Sequence, residues 1–330
     1  MKLTSSLKAI ITIFISFLST FLSIPFASAQ EPLAMAKAEW IQSPVIQFGI
    51  QRPPVVFQRD FVLKKPVKSV RLLITSHGIY EGKVNGSRIG QDYFAPGFTN
   101  YDQKLQYQVY NIEPHLLKSE NVIEITVGDG WYRGFIDGVQ NKFGSDLGLL
   151  CALEITYTDR SKQIINSDES WKYGSGPIRY ADLQTGEKSD GNRVVRMDGQ
   201  ARIFLASRHQ LVPSTSTAIQ KRDMLKAMKV MGDSIYDFGQ KVAGWVRFSI
   251  KGERGDSIVV KHAEALNDNG DLLVKPVGFD CYVLRGGAIE NYEPHFTRHD
   301  FRYAKLIVYR NGQKVNRLVR PVDIKAIAVF

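Results

Sequence analysis

The stretch Asn121-Val122-Ile123-Glu124-Ile125-Thr126-Val127, followed by Gly128-Asp129-Gly130, decides the fold. In an extended chain Ile123, Ile125 and Val127 share one face and Glu124 and Thr126 the other, which is the two-residue period of a half-buried strand. The glycines and aspartate after it accept the backbone angles of a reversal. Working outward, the same pattern recurs over Val67–Thr75, Leu105–Tyr110, Leu149–Tyr157 and Lys162–Asn166, with Val84-Asn85-Gly86, Ala95-Pro96-Gly97 and Thr158-Asp159 as turns. A second set follows: Ser234–Phe238, Trp245–Ile250, Ser257–Ala265, Phe279–Leu284 and Tyr303–Tyr309. Lys251-Gly252-Glu253-Arg254-Gly255 and Asn267-Asp268-Asn269-Gly270 connect its members. Asn111–Leu117 reads as one short helical turn, and Gln220–Val230, rich in Lys and Met, is the one longer helix candidate. Many short strands with little helix predict an all-β chain of two antiparallel, jelly-roll-like β-sandwiches rather than a parallel nucleotide-binding sheet.

The chain has 330 residues, and Met1–Ala29 has the pattern of a signal peptide. Lys2 and Lys8 make its positive start, Ala9–Ile24 its apolar run, and Ala27-Ser28-Ala29 its cleavage site. Cleavage before Gln30 leaves about 300 residues, enough for two ordinary domains. The expected location is secreted or periplasmic, with no membrane association once the signal is removed, because no later stretch is long and apolar enough to span a bilayer. The expected divisions are an N-terminal segment over 30–54, a first sandwich over 55–205, a linker over 206–230, a second sandwich over 231–312 and a tail over 313–330. An apolar fraction of 44% and a charged fraction of 23% exclude a disordered or collagen-like chain. The net charge of +10 falls by two when Lys2 and Lys8 leave with the signal. That balance favours acidic partners such as an acidic polysaccharide, through attraction that salt weakens. The basic residues are spread along strands without a nucleic-acid motif, so no nucleic-acid partner is expected.

Several motifs fail on context. Gly128-Asp129-Gly130 is too short for a phosphate loop and reads as a tight turn. Asp268, Asn269 and Asp271 lack the twelve-residue loop and terminal Glu of a calcium-binding hand, so a hairpin turn is expected there. The six histidines show no H-E-x-x-H and no pairing with Cys, and His295 and His299, although four apart, lie in strand-like sequence, so no zinc site is expected. Cys151 and Cys281 sit in apolar runs and read as buried free thiols. No Gly-x-Ser-x-Gly elbow occurs. Acids are plentiful, yet nothing in their spacing selects the facing pair that glycoside hydrolysis needs.

Taken in order, the motifs resemble one family. Ile79-Tyr80-Glu81-Gly82-Lys83-Val84-Asn85-Gly86, Ala95-Pro96-Gly97-Phe98-Thr99-Asn100-Tyr101, Gln106-Tyr107-Gln108 and Gly128-Asp129-Gly130-Trp131-Tyr132-Arg133-Gly134 are similar to the N-terminal domain of bacterial α-L-rhamnosidases of glycoside hydrolase family 78. Tyr236-Asp237-Phe238-Gly239-Gln240, Ala243-Gly244-Trp245-Val246, His262-Ala263-Glu264, Tyr292-Glu293-Pro294 and Phe301-Arg302-Tyr303 resemble the β-sandwich that follows it. The resemblance implies that hydrolysis belongs to acids of a helical barrel C-terminal to both sandwiches, so no residue here inherits a catalytic role. In some members of that family the sandwich resembling Val55–Arg193 binds terminal rhamnose with the help of calcium. Trp131, Tyr132 and Asn141 are then the candidate sugar-binding residues, and Asn100, Asp102 and Asp146 the candidate calcium ligands. Turn formation and core packing are the competing readings for each. Lys241 stands where the family has Asn, the loop between Leu273 and Phe279 looks shortened, and the stretch after Arg193 lacks the family's Trp-rich segment. The expectation is a secreted, non-catalytic protein that binds rhamnose-containing, acidic glycans such as rhamnogalacturonan. The alternatives are an accessory half working with a separately encoded catalytic barrel, or a truncated remnant.

Overall fold

The structure, a computed structural model, describes residues 33–49, 51–206, 209–215, 217–232, 234–273, 278–316 and 319–330. The signal-peptide reading and most of the loop between Leu273 and Phe279 lie outside them. No helix among the described residues is long and apolar enough to cross a membrane.

The first half is a sandwich of two sheets. Its seven-stranded sheet runs Arg202–Ile203, Ile41–Gln42, Gly148–Tyr157, Val67–His77, Lys104–Asn111, Gln210–Pro213, with Lys162–Asn166 also on Gly148–Tyr157. The facing six-stranded sheet runs Arg196–Gln200, Lys172–Ser175, Val55–Val62, Glu120–Gly128, Ile79–Val84, Ser87–Arg88. The stretch that opened the sequence reading lies near the middle of this second sheet, between Val55–Val62 and Ile79–Val84. Ile123, Ile125 and Val127 all point inward and are fully buried. They meet Val70, Leu72 and Ile74, which lie opposite Ile155, Leu153 and Cys151 on the neighbouring strand, so both sheets send alternate residues into one core with Phe57 and Trp171. Cys151 is buried as expected, and Cys281 is only half-buried; both are free.

The second half is built from one eleven-stranded sheet that curls on itself. Ile235–Lys251 is a single strand where two were expected, with an irregularity between Asp237 and Val242. Its first half pairs with His299–Arg310 and its second half with Ile324–Val329 and Ile289–Tyr292. Changing partners along one long strand turns the sheet around the core of Tyr236, Phe238, Phe248, Phe301 and Leu306.

Three local expectations need correction. Gln220–Val230 is not a helix but the strands Lys221–Lys226 and Lys229–Met231, the first of them paired with Ile324–Val329 at the sheet edge. Lys at such an edge blocks further strand addition, and this is why the segment is polar without being helical. The expected tail supplies Ile324–Val329, which lies between Ile235–Lys251 and Lys221–Lys226. Its apolar run is that of a covered strand. Gly128-Asp129-Gly130, expected as a plain tight turn, leads directly into one turn of α-helix over Gly130–Arg133. Two pairings are also parallel: Gln210–Pro213 on Lys104–Asn111, and Gly186–Asp190 on Asp280–Val283. Through the second of these, chain that the sequence reading put in the first sandwich hydrogen-bonds into the second sheet.

The two halves are held by an apolar seam. Ile79 and Phe94 from the first half meet Trp245, Phe296, Ile327 and Val329 from the second, with Ala181 and Leu183 among them. Trp245 is fully buried, its ring lies 6.1 Å from Phe94 edge-on, and its Nε1–H donates to Glu293 Oε1 at 2.8 Å. Gly128 is glycine for this reason: a Cβ there would press on the Phe296 ring at 3.1 Å. Replacing Trp245 with Ala should cost about 3–5 kcal/mol, as for other large-to-small changes in a closed core. A urea midpoint within the scatter of the parent would show that the seam is not packed as described.

Candidate functional site

A buried ion cluster sets the site. Asp129 precedes the single helical turn, and its carboxylate accepts from Arg133 Nε at 2.7 Å and Arg52 Nη2 at 3.3 Å, while Arg52 Nη2 also donates to the Arg133 carbonyl at 3.1 Å. Burial pushes the Asp129 carboxyl up, against the pull of the two guanidinium groups. Gly130 takes φ +53°, and a Cβ there would meet Ile79 at 2.6 Å, so the turn needs glycine at this position. Clamped in this way, the turn presents Trp131 and Tyr132.

The two aromatics have different roles. Trp131 is half-buried, packs edge-on to Phe94 and Phe98, and walls a cavity of about 750 Å³ where the two halves meet. Leu183 and Leu273 add apolar surface, and Glu264, Arg298 and Asp300 add charge. Arg298 donates to Asp300 at 2.9 Å, and Lys241 donates to Glu264 at 2.7 Å. Lys241, the departure noted in the sequence, thus pairs with one wall residue. Tyr132 is a core residue rather than a sugar-facing one. It is 7% exposed, and one face is covered by His77, whose ring is itself stacked between Tyr132 and Trp40. Burial and then Asp146 push its hydroxyl up to about 12.

The remaining candidates are exposed and lie on two loops. Asn100 Oδ1 accepts the Asp102 N–H at 3.3 Å, a local turn contact, and Asp146 accepts from Ser145 Oγ at 3.0 Å. Asn141 adopts φ +60° and donates its N–H to the Arg133 carbonyl. Phe143 packs on Phe98 and Tyr101, and these ring contacts bring the loop of Asn100 and Asp102 beside the loop of Asn141 and Asp146. The oxygens of Asn100, Asp102 and Asp146 are of the hard kind that calcium takes. Asp102 and Asp146 do not join any close group of three His, Cys, Asp or Glu among the described residues.

Sequence reasoning missed Glu264, Arg298 and Asp300 as wall residues because they come from the other half of the molecule and only the seam brings them to Trp131. Their one signal in the sequence is adjacency to quoted motifs: Glu264 ends His262-Ala263-Glu264, and Asp300 precedes Phe301-Arg302-Tyr303.

Comparison with known proteins agrees with this architecture. Residues 65–223 match the family described as the alpha-L-rhamnosidase N-terminal domain, and residues 229–330 the bacterial alpha-L-rhamnosidase concanavalin-like domain. An alpha-L-rhamnosidase of Streptomyces avermitilis is 34% identical over 73% of this chain and 25% of its own length. One from Formosa agariphila is 27% identical over 82% of this chain and 32% of its own. The chain therefore spans about a quarter to a third of the curated relatives it matches. Among solved structures, the alpha-L-rhamnosidase of Aspergillus terreus superposes with a TM-score of 0.83 at 29% identity, covering 91% of this chain and 37% of that one. The Streptomyces avermitilis enzyme complexed with L-rhamnose gives 0.77 at 29% identity, covering 84% and 29%.

A polar link crosses the seam beside a smaller cavity of about 350 Å³. His295 Nδ1 lies 2.8 Å from Glu81 Oε2, and Arg88 Nη2 lies 3.2 Å from Glu81 Oε1. Burial works to lower the His295 pKa, but the charge and hydrogen bond of Glu81 outweigh it and hold it at about 9. Burial works to raise Glu81, and His295 with Arg88 brings it down to about 2. The histidine's contribution to stability is therefore complete below pH 6.5 and is lost as pH rises through 9; the glutamate's is complete above 4.5 and is lost as pH falls through 2. Melting temperatures of the parent and Glu81→Gln should differ most between these limits and converge as pH rises past 9. A difference that stays constant across the alkaline range would show that the pair is not coupled.

Proposed function

From the premise that this chain belongs, with its N-terminal and concanavalin-like domains, to the bacterial alpha-L-rhamnosidases, we propose that it is an exported protein that binds L-rhamnose-containing glycans and does not hydrolyse them by itself. The observation that carries this reading is the Trp131-walled cavity at the seam. An indole face with Leu183 and Leu273 suits the methyl group and apolar face of a 6-deoxy sugar, while Arg298, Asp300 and Glu264 suit its hydroxyls. Two relatives' properties support the sugar class: the matched proteins are named alpha-L-rhamnosidases, and one was solved with L-rhamnose. The basic net charge supports an acidic glycan such as rhamnogalacturonan. Asn141, on the loop that follows the Trp131 turn, remains a candidate sugar contact, and Asn100, Asp102 and Asp146 are the residues that would hold calcium, whose charge would fix sugar oxygens at the loop end of the first sandwich. Export rests on the Met1–Ala29 pattern.

A second reading is that these domains are the accessory part of an alpha-L-rhamnosidase whose barrel is a separate chain; the relatives' shared name supports the enzyme class. Co-purification of a barrel protein, with hydrolysis of a nitrophenyl rhamnoside only when the two are mixed, would favour it.

Calorimetry with L-rhamnose and pectic oligosaccharides, with and without calcium, should give binding in the parent and binding about tenfold weaker or more in Trp131→Ala. The variant's melting curve checks that it folds. Absence of heat at millimolar sugar in the parent would remove the binding function.

A further inference from the structure

At the back of the large cavity, three side chains from neighbouring strands converge: His262 of Ser257–Ala263, Asp280 of Asp280–Val283 and His299 of His299–Arg310. His299 Nε2 lies 3.2 Å from both Asp280 carboxylate oxygens, and His262 Nε2 lies 3.9 Å from Oδ2. The imidazole rings are stacked, with centroids 3.9 Å apart and planes within 11°. One donor atom from each residue falls within 4.8 Å of the others. Asp280 is held in place from behind, because its Oδ1 also accepts the Glu187 N–H at 2.9 Å, which directs Oδ2 toward both rings.

An ordinary buried His–carboxylate pair accounts for His299 and Asp280 but leaves His262 unexplained. The His262 side chain is 4% exposed, and neither of its ring nitrogens has a hydrogen-bond partner. Buried polar atoms are almost always satisfied, and an exception needs a reason. We propose that His262, Asp280 and His299 hold a divalent transition metal ion of the zinc class, with its fourth position open to the cavity. Two imidazoles and one carboxylate form a donor set that zinc takes with three protein ligands, and its bond lengths of about 2.0–2.2 Å place neighbouring donors about 3.3 Å apart. The His299–Asp280 spacing already has that value and the His262–Asp280 spacing exceeds it by about half an ångström, and the two stacked rings turn apart so that their in-plane nitrogen lone pairs meet at one ion. The Glu187 N–H on Asp280 is the supporting contact that fixes a ligating carboxylate. The three ligands are 18 and 19 residues apart in sequence, on separate strands, which is why no short zinc motif announces them.

The test uses the whole chain, stripped with a chelator and titrated with zinc at neutral pH against a chromophoric competitor. The parent should take up one zinc per chain at micromolar concentration and melt at a higher temperature with it. Cobalt in place of zinc should give the intense visible bands of a four-coordinate site. His262→Phe, which fills the same space with no donor, and Asp280→Asn should each lose stoichiometric zinc, while His209→Ala, remote from the cluster, should keep it. Retention of zinc in His262→Phe, or a parent that binds no zinc and gives no such cobalt spectrum, overturns the proposal. The cobalt spectrum of the parent decides the matter even if a variant fails to fold.

Discussion

Everything that can act in this molecule depends on the apolar seam between its halves. Trp245 and Phe296 of the second sandwich close on Ile79 and Phe94 of the first, and Trp131 packs against the edge of that cluster. The cavity wall takes Trp131 from the first sandwich and Glu264, Arg298 and Asp300 from the second, so neither sandwich alone has a complete site. Large aromatic surfaces bury more than aliphatic ones and hold a definite geometry. A seam built from them fixes orientation as well as proximity. The polar contacts around it, Trp245 to Glu293 and Glu81 to His295, add direction to an interface whose cohesion is hydrophobic.

The clamp under Trp131 works in the same way on a smaller scale. Asp129, Arg133 and Arg52 are each nearly inaccessible, and a buried charge group is tolerable only when its partners are close and well aligned. Such a cluster contributes little net stability, but it permits few alternative arrangements. It converts a Gly-Asp-Gly reversal into a rigid pedestal, and the Gly130 backbone angle completes it.

Much of the fold was legible because period-two alternation is local. Ile123, Ile125 and Val127 carry their inward orientation in the sequence, and the structure buries all three. Legibility failed where context outweighs local pattern. Lys221–Lys226 looks helical by composition and is a strand because Ile324–Val329 offers it an edge, and Ile324–Val329 looks like a tail because the partners that cover it lie far away in sequence. The site was legible only in its first-half member. Trp131 stands out beside a glycine turn, whereas Tyr132, adjacent and also aromatic, is turned the other way by its stack on His77. No periodicity separates two neighbours on one helical turn. Arg298 and Asp300 needed the seam.

The carboxyls of the cavity wall and of the seam sit in different surroundings. Glycoside hydrolysis needs one carboxyl held protonated near neutral pH and facing the leaving oxygen. The carboxylates on the cavity wall lie against cations, Asp300 against Arg298 and Glu264 against Lys241. The carboxyl that burial raises to about 7 is Glu187, and it has no exposed surface. One of its oxygens accepts the backbone N–H groups of His295 and Phe296, and the other accepts from Ser189. Both Glu187 oxygens thus act as acceptors that hold the seam loop. A carboxyl that burial brings near neutrality thus braces the seam between the sandwiches and is not part of the cavity wall.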